Sequence, residues 1–213
     1  HDERAIQLLK EYAFANHRDF ARYALWGLAS IDKEATLTLL EQQMFKHENY
    51  CVRRNAVEIS IYLEDERVIP FLLEALVDEE FAVNLPAILS LQSLQAGGKP
   101  VPNISTHLID KTRDKNPVIR SKAAFALGHF GNDEALNRLC FLLLNDPIAE
   151  VRMNAARGLE ALGDLRSEDA LVHARQDTSG TVKHYVEAAL TQLNQVKKFN
   201  RFAADLQNGN DEA

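Results

Sequence analysis

One segment of the chain recurs within it. Asn116-Pro-Val-Ile-Arg120-Ser-Lys-Ala-Ala-Phe-Ala-Leu-Gly-His-Phe-Gly131 returns as Asp146-Pro-Ile-Ala-Glu-Val-Arg152-Met-Asn-Ala-Ala-Arg-Gly-Leu-Glu-Ala-Leu-Gly163. A unit this short cannot bury its own apolar face, so it stacks on copies of itself and builds a solenoid. With Arg120 and Arg152 as position zero, the frame extends to Ala21, Arg53, Asn84 and Lys183, and its one long spacing is the 36 residues from Asn84 to Arg120. The residue before each zero is apolar: Phe20, Val52, Val83, Ile119, Val151 and Val182. Apolar or small residues follow three, four, seven and ten positions later, as in Ala155, Ala156, Leu159 and Leu162, or Ala24, Leu25, Leu28 and Ile31. At ~100° per residue these positions share one helical face, so each copy is predicted to be a helix buried on that side.

Second apolar stretches lie between these helices: Asp2 to Phe14, Glu34 to Met44, Glu66 to Val77, Asn103 to Lys111, Glu134 to Leu144 and Arg166 to Ala174. Asn116 and Asp146 read as helix caps before Pro117 and Pro147, while Gly131 and Gly163 read as helix ends. Ser167 and Glu168 stand where the pattern wants small and apolar residues, which predicts that the helix there starts late or frays. The fold class is therefore all-α, an α-α superhelix of about six helix pairs with no strand. Residues 1–207 are expected to form a single array, and the polar, acidic tail 208–213 to be disordered.

The stretches Val151 to Asp164 and Ile119 to Asn132, and less closely the stretch from Val52, resemble the short HEAT-like repeats of the phycobilin-lyase type. That motif reads Val-Arg-x-x-Ala-Ala-x-x-Leu-Gly-x-Leu-Gly-Asp. The resemblance covers nearly the whole chain and implies the fold; the same scaffold serves unrelated purposes, so it does not imply an activity. It also implies that the helices carrying the frame line the concave surface of the superhelix.

The variable positions of those helices hold the functional signal. If −1, +3, +4, +7 and +10 point inward, then +1, +2, +5 and +9 form an exposed stripe. Its notable residues are Arg22, Tyr23 and Trp26; Arg54, Glu58 and Tyr62; Leu85 and Leu89; Lys122, Phe125 and His129; Met153 and Arg157; His184 and Tyr185. Five of its 24 positions are aromatic, against 8% of the chain, and the sole Trp is among them. Four cations face one carboxylate, Glu58, although the whole chain carries a net charge of −7. Aromatic residues, Arg and Met are the types enriched at protein interfaces. The stripe thus predicts a non-catalytic scaffold that binds a protein or peptide in its groove. Trp26, Tyr23, Tyr62, Phe125 and Tyr185 serve as anchors, and Arg22, Arg54, Lys122 and Arg157 pair with acidic groups of the partner.

Catalytic and cofactor patterns do not emerge. His47-Glu48 is one His-Glu pair of the kind that deoxyhypusine hydroxylase uses severalfold, and a single pair is too few for a di-iron site. His129 and His184 lie two copies apart, too far for joint metal coordination. Cys51 and Cys140 fit no metal or disulfide motif; Cys140, in an apolar run, is expected to be a small buried hydrophobe and Cys51 to be more exposed. No cofactor is expected. The alternative implied by the resemblance is an accessory subunit of a bilin-lyase-like enzyme, its rings and arginines gripping a tetrapyrrole with propionates. A nucleic-acid-binding role ranks third, because a net charge of −7 disfavours phosphate backbones. No stretch reaches the roughly 20 apolar residues that a membrane helix needs. A cytoplasmic location is expected, although a chain opening His1-Asp2 without Met could have lost a targeting segment. The loop Gly97-Gly-Lys-Pro-Val-Pro102 accounts for the long spacing and is expected to be a tolerated surface insertion, with a bend in the array or contact with a partner as the alternative.

Overall fold

The computed structural model describes residues 3–15, 17–99, 101 and 103–210, with side chains as far as 205. Twelve α-helices follow one another: α1 Glu3–Ala13, α2 Arg18–Ile31, α3 Lys33–Leu39, α4 Tyr50–Leu63, α5 Ile69–Ala75, α6 Phe81–Ala96, α7 Ile104–Lys111, α8 Pro117–Leu127, α9 Asp133–Asn145, α10 Ala149–Leu162, α11 Glu168–Ala174 and α12 Gly180–Asn210. They make six pairs, with no strand among the described residues. The chain forms two compact units, His1–Ile104 and Ser105–Ala213. Of the tail expected to be disordered, 208–210 continue α12, and 211–213 lie outside the described residues. Pro100 and Pro102 of the long loop also lie outside them.

Local chemistry sets the helix starts. Asn116 Oδ1 accepts the Val118 N–H, with Pro117 as the first residue of α8, as expected of a cap. Asn132 caps α9 through Ala135 N, and Gly163 ends α10 with φ 64°, the left-handed geometry that glycine tolerates best. Asp146 departs from the expected cap. Helix α10 begins at Ala149, and Asp146 Oδ1 instead accepts the Ile148 N–H in the turn before it. Ser167 closes a 3-10 turn, Leu165–Ser167, ahead of α11 and is fully buried, its hydroxyl donating to the Asp164 carbonyl at 2.7 Å. An equivalent turn, Glu66–Val68, precedes α5, so the late start is a feature of the repeat itself.

In the first unit, α4 buries Val52, Ala56, Val57, Ile59 and Leu63, and α6 buries Val83, Ala87, Ile88, Leu91 and Leu94. In the second, Val151, Ala155, Ala156 and Leu159 of α10 are all 0% exposed. Helix α2 departs at both ends of its stripe. Ala21, Ala24, Leu25 and Leu28 are buried, but Phe20 is 60% and Ile31 39% exposed. Among the described residues no earlier copy lies against the flank that Phe20 faces, so the ring meets His17 at a tilt, centroids 4.6 Å apart, instead of entering a core.

The arginines that define the frame join neighbouring turns. Arg53 Nε bonds Asp78 Oδ2 at 2.8 Å, Arg120 bonds Asp146 at 2.9 Å, and Arg152 bonds Asp177 at 2.6 Å. The Nη1 of each also donates to two carbonyls of the preceding turn, His47 and Glu48 for Arg53, Asp114 and Lys115 for Arg120, and Asp146 and Pro147 for Arg152. Each aspartate in turn accepts a backbone N–H two residues on, from Glu80, Ile148 and Ser179. The hydrogen bond from Arg152 holds the Asp177 carboxyl below the usual carboxylate range, against the opposing effect of burial. A carboxylate depressed in the folded state stabilises fully above its unfolded pKa of ~3.9, and that stability drains away as pH falls through the folded value. The Asp177→Asn variant is therefore expected to lose less of its thermal midpoint than the wild type below about pH 4. Circular-dichroism melts across an acid series check this, and parallel acid limbs for the two proteins would refute it.

Candidate partner-binding site

In the first unit the expected stripe faces solvent. Tyr23 is 58% exposed, Trp26 53%, Tyr62 62%, Leu85 41% and Leu89 51%, carried by α2, α4 and α6 on the side away from their buried stripes. The Trp26 and Tyr62 rings bridge α2 and α4 with centroids 6.0 Å apart. Beside them Glu58, a half-buried carboxylate, accepts Arg18 Nη2 at 2.6 Å and lies 3.8 Å from Arg54 Nε. Arg54 also donates to Asn55 Oδ1 at 3.2 Å, so its charge is turned inward rather than offered to a ligand. Arg22 stays exposed, its guanidinium 5.4 Å from the Tyr23 ring centre. Glu58 is thus shared by two arginines within the face, whose chemistry is that of a row of rings and leucines with one outward cation, Arg22.

The second unit corrects the expectation for its share. Lys122 is 8% and Phe125 7% exposed, and Ser121 and Asn154 are also buried. Asn154 Nδ2 donates to Ser121 Oγ at 2.6 Å, which shows that positions +1 and +2 meet across the seam between α8 and α10. A neighbouring helix therefore covers part of the arc that looks free on an isolated helix. Arg157 lies across Phe125 at 4.4 Å and Tyr185 at 5.5 Å and donates to Asn154 Oδ1 at 3.1 Å. His129 meets the edge of Phe125 at 5.1 Å, and His184 meets Tyr185 at 5.3 Å. Burial, and secondarily the charge of Arg157, push the His129 imidazole below its ordinary pKa, so it is neutral near pH 7. Met153 and Tyr185 are half-buried, and His184 is exposed. Of the five expected anchors, three stand open in the first unit and two belong to a stack that the second unit makes with itself. Of the four cations expected to meet a partner, only Arg22 is exposed.

Two rings escaped the sequence reading. Tyr12 is 50% exposed, and with Leu9, Phe20, Tyr23 and Ala24 it lines an apolar cavity of about 420 Å³ between α1 and α2. The helical frame turns Phe20 inward, and Tyr12 lies on the first helix of its pair, outside that frame.

The sequence matches the family of HEAT repeats over residues 3–92 and 105–191. The chain belongs to the HEAT repeat family. No curated protein of known function matches it. Among solved structures, this HEAT repeat chain is similar to one from the structural study of microtubule plus-end tracking by XMAP215, CLIP-170 and EB1. The identity is 16%, with 87% of this chain and 89% of that one covered and a TM-score of 0.54. It is also similar to a designed armadillo repeat protein (18% identity, 87% and 98% covered, TM-score 0.45). A third is the complex of the CpcE and CpcF subunits of phycocyanin lyase from Nostoc (17% identity, 88% and 94% covered, TM-score 0.35). At 16% identity, the likeness to the plus-end-tracking structure speaks to the fold, a helical solenoid, and to nothing finer.

Elsewhere on the HEAT scaffold the chemistry is quiet. Among the described residues no three of His, Cys, Asp and Glu converge on a metal-sized site, and His47 Nδ1 accepts the Asn49 N–H. Cys51 and Cys140 are both half-buried, and burial pushes the Cys140 thiol up, away from the reactive thiolate. No helix among the described residues is long and apolar enough to cross a membrane.

Proposed function

We propose that this HEAT repeat protein is a non-catalytic scaffold that binds a protein or peptide segment along the face of Tyr23, Trp26, Tyr62, Leu85 and Leu89. The observation that carries the reading is the exposure of these five large apolar side chains, each above two-fifths, on the second helices of three consecutive pairs. A contiguous apolar row of this kind costs solubility unless something covers it, and Trp and Tyr are the residues that most often dominate binding energy. Arg22 supplies the cation for an acidic residue flanking the apolar anchor of the ligand, a charge-assisted contact. The tetrapyrrole alternative is less well served, because Arg157 already lies over the Phe125 and Tyr185 rings, which occupies one arginine and two rings of the stripe.

Trp26 is the sole tryptophan and lies in the face, so its fluorescence reports occupancy directly. Peptides selected from a random library on the wild-type protein are expected to be rich in aromatic or leucine residues next to an acid, and to shift Trp26 emission to the blue. The Trp26→Ala, Tyr62→Ala double variant is expected to bind them at least about tenfold more weakly, the effect of losing roughly 1.4 kcal/mol. Peptides that bind while leaving both Trp26 emission and the variant's affinity unchanged would place the site elsewhere.

A further inference from the structure

The carboxylate in the proposed peptide-binding face is shared unequally. Glu58 Oε1 accepts Arg18 Nη2 at 2.6 Å, whereas Arg54 Nε stands 3.8 Å from the same oxygen. That Nε is buried and has no hydrogen-bond partner among the described residues, while the Nη2 of the same side chain donates to Asn55 Oδ1 at 3.2 Å. The exposures run the other way. The Arg18 side chain is 56% exposed, so water can solvate it without Glu58; those of Arg54 and Glu58 are each 15% exposed. The donor that water can serve holds the carboxylate, and the buried donor goes without it.

Losing the Arg18 contact costs little, because an exposed ion pair contributes little, and it lets Glu58 turn to Arg54. An N–H···O bond is ~2.9 Å long, so the oxygen has to move only about 0.9 Å. Arg18 is then free to pair elsewhere. It lies one turn before Arg22 on α2, with Trp26 one turn further on, so the three residues follow one flank of that helix. Charge says what kind of group Arg18 meets. Arg18, Arg22 and Arg54 stand with two carboxylates, Glu58 and Asp19, both of which bear on Arg22. Three cations less two carboxylates leave one positive charge, in a chain whose net charge is −7. One carboxylate from a ligand neutralises it.

We propose that a carboxylate of the bound segment takes Arg18 from Glu58, that Glu58 closes on Arg54 Nε, and that Arg18 and Arg22 hold the acid jointly beside the side chain seated on Trp26. The proposal rests on the peptide-binding reading of this face and adds Arg18, a residue outside the helical stripe, as a ligand contact. Glu58 stays paired in both states, so the face selects an acid without leaving its own half-buried carboxylate alone. A segment with an amide at that position leaves Arg18 on Glu58 and gains only its apolar contacts.

Two measurements test the exchange. The first needs no ligand. In nitrogen-15 NMR spectra of the arginine side chains, Arg18→Gln is expected to move the Arg54 Nε–H signal downfield and to slow its exchange with water, because Glu58 passes to Arg54. Circular dichroism checks that this surface change leaves the helices intact, and an Arg54 signal that Arg18→Gln leaves in place overturns the proposal. The second follows Trp26 emission with acetyl-Leu-Phe-Glu-Leu-amide and acetyl-Leu-Phe-Gln-Leu-amide. The wild-type protein is expected to bind the Glu peptide at least about fivefold more tightly than the Gln peptide. Arg18→Gln is expected to bring that preference below about twofold and to leave the affinity for the Gln peptide unchanged. Lys46→Gln removes the same charge from a side chain paired instead with Glu74, and is expected to keep the preference. An Arg18→Gln variant with the wild-type preference, or a Lys46→Gln variant that loses it equally, overturns the exchange and leaves the apolar face standing as the binding site. Trp26 emission that answers to neither peptide removes the face itself, and the proposal with it.

Discussion

Replacing Gly128 by Ala is expected to lower the thermal midpoint by roughly 6–12 °C, the shift that about 3 kcal/mol produces in a chain of this size. A Cβ built on Gly128 stands 2.2 Å from the Gly158 carbonyl oxygen and 2.5 Å from its Cα, and one built on Gly158 stands 2.6 Å from the Ala124 carbonyl. Both obstacles are backbone, so α8 and α10 must separate, and the seam that buries Ala123, Ala124, Ala155 and Ala156 opens with them. Against this stands the gain from replacing a helical glycine, about 0.5–1 kcal/mol, which is too small to change the sign. Gly27 in α2 is the comparison. Its nearest neighbours to a new Cβ are the Leu9 methyl carbons at 3.5 and 3.6 Å, ordinary contact distances. Gly27→Ala is therefore expected to raise the midpoint slightly. The same substitution in two helices of one fold should act in opposite directions, and differential scanning calorimetry of the pair would expose an error in the seam geometry if both moved the same way.

The glycines also mark where the sequence stops being readable. The register, the six pairs and most helix starts follow from periodicity and caps, because those signals are local to each helix. Gly163 was legible as punctuation for the same reason, whereas α8 ends at Leu127 with Gly128 as its cap, short of the expected Gly131. Gly128 and Gly158 were not, since their role depends on how closely two helices about thirty residues apart approach each other, which periodicity does not contain. The candidate site divides along the same line. Tyr23, Trp26, Tyr62, Leu85 and Leu89 were legible because a helical wheel points them away from the core. Lys122 and Phe125 occupy the same wheel positions and are buried, because α10 covers that flank and Arg157 lies over the ring. Arg54 looked like a free cation because the orientation of its guanidinium toward Glu58 is a property of two side chains and not of a position. Phe20 failed in the opposite direction: the wheel turned it inward, toward a neighbour that α2 does not have among the described residues.

Asp146→Ala is expected to destabilise the protein by about 3 kcal/mol in urea denaturation, although sequence alone presented this residue as a mere helix cap. Its carboxylate, 8% exposed, receives Arg120 Nε at 2.9 Å, Arg120 Nη2 at 3.2 Å and the Ile148 N–H at 3.0 Å. Removing it leaves a guanidinium whose side chain is only 14% exposed with the Asp114 and Lys115 carbonyls as its remaining acceptors. Breaking one side of a buried pair costs roughly 3–5 kcal/mol, and the residual exposure of Arg120 places this case at the lower end. Arg120→Met in the same chain is expected to recover part of the loss, because it removes the stranded charge and keeps an apolar stem in its place. Asp133→Ala separates burial from distance. That carboxylate meets Arg166 Nη2 at 2.7 Å, as close as the Asp146 contact, yet it is 81% exposed, so water already solvates both partners and no measurable change is expected. Equal losses for Asp146→Ala and Asp133→Ala would mean that the arginine frame of the repeat acts only through surface charge. A large loss for the first and none for the second would establish it as the buried tie between successive turns, which is why an arginine, with its forked donors reaching one carboxylate and two carbonyls together, stands at that position.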